Sequence, residues 1–222
     1  MAVLGVDGWR GAWVGALLEG RTVTLLTLPD TAAVLAVPGV EVVAIDMPIG
    51  LSDDGARACD VEARRLLGRA GSSVFPAPVR AVLAARDYAE ARRLSVAATG
   101  GRSLSAQSFQ LVRSIAALDD ALGDPPRDDV VEVHPELAFR ALDDRVADPK
   151  SGARGLAQRV RALQQAMDVL DALADAPPGV PAVAARDACA AAWSARRVAD
   201  GTARCVGDGS RDARGRPVRI CW

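Results

Sequence analysis

Residues 40–51 read VEVVAIDMPIGL, and this stretch decides the fold that the sequence predicts. The apolar run at 42–45 is continuous rather than alternating, which is typical of a central strand that is buried on both faces and parallel to a neighbour. The run ends at an acid, Asp46. An isolated carboxylate is costly to bury unless it is paired, protonated or bound to a metal. We therefore interpret Asp46 as a candidate functional residue.

A second acid lies in a similar setting near the N-terminus. Residues 3–18 read VLGVDGWRGAWVGALL, where Asp7 ends an apolar run and Gly8 allows the backbone to come close to a ligand. The first 28 residues predict a three-stranded antiparallel meander. If the first and fourth strands are adjacent and parallel, Asp7 and Asp46 share one end of the sheet.

Composition predicts a single globular domain over residues 1–222. Half of the residues are apolar and a quarter are charged, and the net charge of −1 provides no basic field to attract nucleic acid. The four cysteines form no CxxC pair, so reduced thiols and a cytoplasmic location are expected. No apolar run approaches the ~20 residues of a membrane span, so no membrane partner is expected.

The order of the remaining segments predicts an α/β fold with a mixed sheet flanked by helices. A helical insertion or lid is expected over about 52–125. Other expected elements are a short helix after residue 28, helices over 54–68, 81–94 and 104–122, a strand ending at Pro135, helices over 155–173 and 181–201, and an edge strand near the C-terminus.

Further acids could join the two strand-end aspartates. Glu132 interrupts an apolar strand, Glu136 follows the next proline, and Asp187 lies near the start of the last helix. Such an oxygen-only site suits Mg²⁺ or Mn²⁺, and the single histidine, His134, excludes a multi-histidine site. Two hard cations between carboxylates are typical of phosphodiester hydrolysis.

Each of these residues also has a structural interpretation. Asp7 could be a hairpin turn residue, Asp46 could cap a loop, and Glu132 could face water at a sheet edge. Asp187 could be a charge at a helix N-terminus, and His134 could be a structural hydrogen-bonding residue. The functional interpretation depends on the acids occurring together.

An ordered series of motifs resembles the bacterial family known as domain of unknown function 429, whose members are described as predicted nucleases of the ribonuclease H-like superfamily. The resemblance runs from about Gly5 to Gly201. Its motifs are GVDGWRGAWV (5–14), AIDMPIGL (44–51), RACDVEARRLLG (57–68), SVFPAPVR (73–80), SLSAQSF (103–109), EVHPELAF (132–139), DPKSGARGLAQRVRAL (148–163) and RDACAAAWSAR (186–196).

The resemblance implies a ribonuclease H-like core. Asp7 matches the first-strand acid, Asp46 the fourth-strand acid and Asp187 the acid on the last core helix, while either Glu132 or Glu136 could be the fourth acid. Other polar residues match the family motifs and suggest a substrate pocket beside the acids: Arg57, Asp60, Arg64, Ser73, Arg80, Ser105, Gln107 and Lys150.

Three functions compete at this point. The first is a divalent-metal nuclease, with Mg²⁺ or Mn²⁺ as cofactor and nucleic acid as substrate. The second is an actin-like phosphotransferase or nucleotide hydrolase, which normally needs two copies of the core and so requires a homodimer. The third is a non-catalytic protein that binds a metal or small ligand, which the low aromatic content favours because few rings can stack on bases.

Overall fold

The structure, a computed structural model, describes residues 1–222 and contains two compact units. The first unit comprises residues 1–47, 129–205 and 221–222. The second comprises residues 48–128 and 206–220, so it contains the whole of the predicted insertion.

The main sheet has five strands in the order β3-β2-β1-β4-β5. Strands β1 to β3 pair antiparallel, and β4 and β5 pair parallel. The mixed sheet confirms the α/β prediction and is consistent with a ribonuclease H-like core. The strands are β1 (Ala2–Trp9), β2 (Ala12–Glu19), β3 (Thr22–Leu28), β4 (Val40–Ile45) and β5 (Val130–Glu132).

Eight α-helices accompany the sheet, and none is long and apolar enough to cross a membrane. The helices are α1 (Thr31–Leu35), α2 (Ala58–Leu67), α3 (Tyr88–Thr99), α4 (Ala106–Ala121), α5 (Pro135–Leu142), α6 (Ala153–Gln164), α7 (Val169–Ala174) and α8 (Ala182–Ala199). Helices α1 and α5 to α8 belong to the first unit, and α2 to α4 belong to the second.

The long helix α8 packs directly on β1 at a glycine. A Cβ on Gly5 would lie 1.9 Å from the backbone nitrogen of Ala192 and 2.2 Å from the carbonyl oxygen of Ala188. Only a residue without a side chain permits this approach, which explains the glycine inside a buried strand. The Ala-rich buried face of α8, including Ala188 and Ala192, is the complementary surface.

Strand β1 is longer than the sequence predicts, because it extends past Asp7. Asp7 lies within the strand, opposite Val14 of β2, and β1 runs on to Trp9. The turn to β2 follows at Arg10 and Gly11, both with positive φ, as a two-residue hairpin of this twist requires. Asp7 is therefore not a turn residue.

Three helix predictions need correction. The predicted helix over 155–173 is broken into α6 and α7, and the N-terminal part of the predicted helix over 81–94 is a separate 3₁₀ turn, Arg80–Ala84. Helix α5 was not predicted, because the segment after β5 was interpreted as the end of a strand.

The prediction of reduced cysteines is wrong for one pair. Cys205 and Cys221 form a disulfide, whereas Cys59 and Cys189 are free and buried. The bonded cysteines lie in two short paired strands, β6 (Cys205–Val206) and β7 (Ile220–Cys221). The bond forms because strand pairing brings together two residues that are 16 positions apart.

Candidate active site

The sheet register places Asp7 and Asp46 side by side. Val6 pairs with Ile45 across the parallel strands β1 and β4, so the two aspartates occupy the next position on each. The backbone N–H of Asp46 donates to the carbonyl oxygen of Val6 at 2.9 Å, which extends the ladder by one bond as β4 ends. Both side chains are half-buried.

Helix α8 supplies the third aspartate. Asp187 precedes Ala188, whose carbonyl oxygen lies against Gly5, so the close approach of α8 to β1 fixes the position of Asp187 as well. Side chains alternate along a strand, and Gly5 and Asp7 therefore share the face that α8 covers. Asp187 itself is buried.

Two of the three carboxylates, Asp7 and Asp46, have raised pKa values. Burial, and then the charge of Asp187, raises the pKa of Asp7 to about 7. Burial, and then the charges of Asp7 and Asp187, holds the pKa of Asp46 well above its ordinary value. Raised pKa values of this kind are typical of carboxylates gathered for a cation or for acid–base chemistry.

Two protein cations contact Asp187. Arg186 donates from Nε and Nη2 to Oδ1, at 2.9 and 2.7 Å, and the ammonium of Lys150 lies 3.4 Å from Oδ2. The positive charges of both residues lower the pKa of Asp7, although less than burial and Asp187 raise it. The two oxygens of Asp187 are therefore both engaged.

The two candidate glutamates have different surroundings. Glu132 pairs with Ile45 across β4 and β5, so by alternation it shares a sheet face with Ile45 rather than with Asp46. Its charge still contributes to the raised pKa of Asp46, as the weakest of the acids that do so. Glu132 is thus electrostatically coupled to the aspartates from the margin of the cluster.

Glu136 is held by an arginine instead. Arg159 of α6 donates to Oε1 and Oε2 of Glu136 at 2.9 and 2.6 Å, and both side chains are buried. Burial would raise the pKa of Glu136, but the Arg159 hydrogen bonds and charge outweigh it and lower the pKa. His134, the residue before α5, is buried beside this pair, and its charge acts on Glu136.

The donor chemistry of the cluster fits a hard divalent cation, because carboxylate oxygens are what Mg²⁺ and Mn²⁺ prefer. As the side chains lie, however, no group of three or more His, Cys, Asp or Glu residues could hold a metal ion. Lys150 and Arg186 already contact the carboxylate oxygens of Asp187. A divalent ion at Asp7, Asp46 and Asp187 would therefore require these side chains to rearrange.

A family model described as "Protein of unknown function (DUF429)" matches residues 5–211. The chain belongs to the DUF429 family. No curated protein and no solved structure matches it. The match covers the three aspartates, Lys150 and the whole predicted insertion.

Several polar residues of the DUF429 motifs in the insertion have partners inside the second unit. Arg57 is buried and pairs with Asp60, at 3.1 Å from Nε to Oδ2 and 2.5 Å from Nη2 to Oδ1, and it also donates to the carbonyls of Ile49 and Gly50. Arg64 donates to the carbonyl oxygen of Val74 at 2.9 Å. These contacts connect loops to helix α2.

A second group of motif residues has a comparable structural setting. Arg80 pairs with Asp119 at 2.9 Å and with Asp212, and Arg216 pairs with the other oxygen of Asp119. Ser105 caps α4 by accepting the Ser108 N–H at 3.1 Å, and Ser73 donates to the carbonyl of Ala70. Gln107 is exposed on α4.

Sequence reasoning missed Arg159 and Arg186, although each leaves a signal. Arg159 lies on the buried face of α6 with Gly155, Ala162 and Leu163, a position where an arginine needs a partner. Arg186 directly precedes the candidate acid Asp187 and is completely buried. An arginine on the apolar face of a predicted helix is therefore a sign of a buried ion pair.

Proposed function

We propose that this protein is a divalent-metal-dependent nuclease of ribonuclease H-like type, which hydrolyses phosphodiester bonds in nucleic acid at Asp7, Asp46 and Asp187. The proposal includes Mg²⁺ or Mn²⁺ as cofactor and a cytoplasmic location. Glu132 is the candidate fourth acid, because it is coupled to Asp46, while Glu136 is occupied by Arg159.

One observation carries the proposal: at the ends of two parallel strands the pKa values of Asp7 and Asp46 are both raised, and the charge of Asp187 on helix α8 contributes to both shifts. Gathering like charges in a half-buried position costs stability, and neither hairpin formation nor helix capping requires it. A cation-dependent function explains why the cost is tolerated.

Each residue has a role that its surroundings support. When bound, divalent cations supply activation of an attacking water and stabilisation of the leaving oxygen. Asp7, Asp46 and Asp187 would hold them. Arg186 fixes one oxygen of Asp187 and therefore its orientation.

A second candidate, a non-catalytic protein that binds a metal or small ligand, is supported by the two protein cations that already contact Asp187. Lys150 and Arg186 offset part of the negative charge without any metal. The actin-like alternative would need a homodimer, since the chain contains one five-stranded sheet of this kind.

Cleavage assays separate these functions. The full chain is incubated with labelled single-stranded and double-stranded DNA and RNA and an RNA–DNA hybrid, with Mg²⁺, Mn²⁺ or chelator. We expect metal-dependent cleavage of at least one substrate and a loss of at least 100-fold (on the order of the effect of removing one catalytic group) in Asp46→Asn. The matched control is Glu41→Gln, because Glu41 is an exposed acid on β4, the strand that Asp46 directly follows.

Two outcomes would contradict the nuclease proposal. Cleavage that persists in Asp46→Asn would come from another site or a contaminant. Absence of cleavage on every substrate, with tight binding of Mn²⁺, would favour the non-catalytic candidate. Hydrolysis of ATP by a dimeric species would favour the actin-like one.

A further inference from the structure

Lys150 is the only lysine of the chain, and its ammonium lies at the aspartate cluster. It contacts Asp187 at 3.4 Å, and its positive charge acts on Asp7, Asp46 and Glu136 as well. The nuclease proposal requires no cation of the protein at this position. An ammonium there competes with a metal ion for the same oxygens.

The loop that carries Lys150 is built against helix α6. A Cβ on Gly155 would lie 2.0 Å from the carbonyl oxygen of Pro149, so the glycine lets the loop and the helix touch. Gln158 accepts hydrogen bonds from the backbone N–H groups of Ala147 and Asp148, at 3.2 and 3.0 Å. These contacts fix the backbone directly before Lys150.

Arg159 secures the same loop from inside the unit. Its Nη1 donates to the carbonyl oxygens of Asp148 and Gly155, at 3.0 and 2.8 Å, while its other nitrogens hold Glu136. A buried arginine thus anchors the loop, although the Lys150 side chain itself is 46% exposed. The backbone is anchored, whereas the ammonium lies on a half-exposed side chain with a single ion-pair contact.

The two cations that contact Asp187, Arg186 and Lys150, differ in how firmly the protein holds them. Arg186 is completely buried, donates twice to Oδ1 and lies 5.5 Å from the ring of Phe139, so it cannot leave without disrupting the core. Lys150 makes one longer contact, to Oδ2, from a half-exposed side chain. Only Lys150 can exchange with another cation.

We propose that Lys150 is the resident, displaceable cation of the aspartate cluster: its ammonium neutralises Asp187 when no metal is bound and moves away when a divalent ion binds. Lys150 is then a positioning residue that stabilises the metal-free protein and sets the metal affinity. The displacement step rests on the proposed metal site, whereas the neutralising role does not.

The test compares Lys150→Met with Lys150→Arg and with Arg154→Met, all in the full chain. Arg154 is the matched control because it lies close in sequence and its partner, Asp148, is outside the cluster. Thermal unfolding is followed in chelator, and Mn²⁺ binding is measured by calorimetry. In chelator, Lys150→Met should unfold roughly 2–5 °C below the wild type, and Lys150→Arg and Arg154→Met within about 1 °C of it.

On Mn²⁺ binding, Lys150→Met should have the opposite effect and be favourable. We expect Lys150→Met to bind Mn²⁺ roughly tenfold more tightly than the wild type, because Asp187 Oδ2 is released and one repelling charge is gone. Lys150→Arg should resemble the wild type. The added Mn²⁺ should therefore raise the unfolding temperature of Lys150→Met more than that of the wild type.

The results separate this inference from the nuclease proposal. Unchanged or weaker Mn²⁺ binding by Lys150→Met, or no Mn²⁺ binding by either protein, would overturn the displacement, and an unchanged unfolding temperature in chelator would overturn the neutralising role. Tighter Mn²⁺ binding without cleavage of any nucleic acid would contradict the nuclease proposal and support Lys150 as the displaceable cation.

Discussion

The backbone N–H of Asp46 lies 2.9 Å from the carbonyl oxygen of Val6, and this bond is the last one of the parallel ladder between β1 and β4. It fixes Asp46 beside Asp7 at the point where β4 stops. Because both aspartates are placed by sheet register, their proximity is a property of the fold. The following predictions depend on this arrangement and on the contacts around it.

The metal-free protein should lose stability as the pH rises from 5 to 8. The pKa of Asp7 is raised from 3.8 to about 7 in the folded state, and that of Asp46 is raised too, so the folded protein keeps protons that the unfolded chain releases in this window. A raised acid pKa therefore favours the folded state at low pH and opposes it at high pH. We expect a fall of roughly 1–3 kcal/mol in the free energy of unfolding.

Urea unfolding in chelator at pH 5, 6, 7 and 8 measures this slope. Acids whose folded-state pKa is lowered, such as Glu136, make stability depend on pH only below about pH 4.5, so they do not affect the slope between pH 5 and 8. Asp46→Asn should flatten the slope and be at least as stable as the wild type at pH 8, because one repelling charge is gone. A variant that is clearly less stable at pH 8 would identify Asp46 as a structural residue.

Gly5→Ala should strongly destabilise the first unit. The new methyl group would lie about 2 Å from the backbone of α8, so the helix must move off the sheet. We expect the free energy of unfolding to fall by about 3 kcal/mol or more, which is at the upper end of the effects of overpacking a core. Gly8→Ala on the same strand is the control, since its methyl group meets only ordinary contacts.

Chemical unfolding of both variants checks this prediction. Nearly equal stabilities would mean that α8 does not press on β1 at Gly5, and the placement of Asp187 would then lose its support. Gly8→Ala should change stability little, because its methyl group lies on the other face of the strand and meets only Met47 and Trp13 at ordinary distances.

Arg57 should prove essential for stability. Its buried pair with Asp60 is 2% and 4% exposed, and removing one partner of such a pair typically costs about 3–5 kcal/mol. We expect this loss in Arg57→Met and a change within about 0.5 kcal/mol in Arg65→Met, whose exposed side chain lies 3.9 Å from Glu62 on the same helix.

Unfolding experiments distinguish a structural role of Arg57 from a role in substrate binding. If Arg57→Met kept its stability and lost only nucleic-acid affinity, the substrate-binding prediction from the sequence would be correct and the scaffold role wrong. Arg57→Lys provides a finer comparison, because it keeps the charge and loses the planar fork.

The disulfide between Cys205 and Cys221 should contribute about 3 kcal/mol to the free energy of unfolding. It links residues 16 positions apart and so closes a loop of that length in the unfolded chain. Cys205→Ser or a reducing agent should remove this contribution. The reducing agent should have no further effect on Cys205→Ser. If it lowered the stability of that variant as well, its effect would not come from this bond.

The sequence predicted the sheet well because the signal was local. The continuous apolar run of β4 indicated a parallel central strand, and the acid at its end indicated where the ladder stops. Asp7 and Asp46 could therefore be brought together by reasoning about strand order alone. Asp187 could be named from the sequence only as an acid that a packed helix could bring to the same point, and the family resemblance supported it, because its proximity depends on the approach of α8 to Gly5.

The helix errors have two different causes. The break between α6 and α7 is tertiary: the side chain of Arg21 donates to the carbonyls of Gln164 and Gln165 and to Asp168, which no local pattern reveals. The other two errors had readable signals. Asp87 accepts the Glu90 N–H as an N-cap of α3, and Pro135 is at the first position of α5.

The contact between Lys150 and Asp187 also could not be predicted from local sequence patterns. Lys150 and Asp187 are 37 positions apart, and their contact depends on Gly155, Gln158 and Arg159 shaping the loop. The motif match identified Lys150 as a polar residue of interest without indicating its partner.

The most direct test of the account is to locate Mn²⁺ in crystals of the wild-type chain by its anomalous scattering. We expect a peak in contact with the carboxylates of Asp7, Asp46 and Asp187, absent in Asp46→Asn and present in Glu41→Gln. A peak elsewhere, or none at these three aspartates at millimolar Mn²⁺ and pH 8, would contradict it.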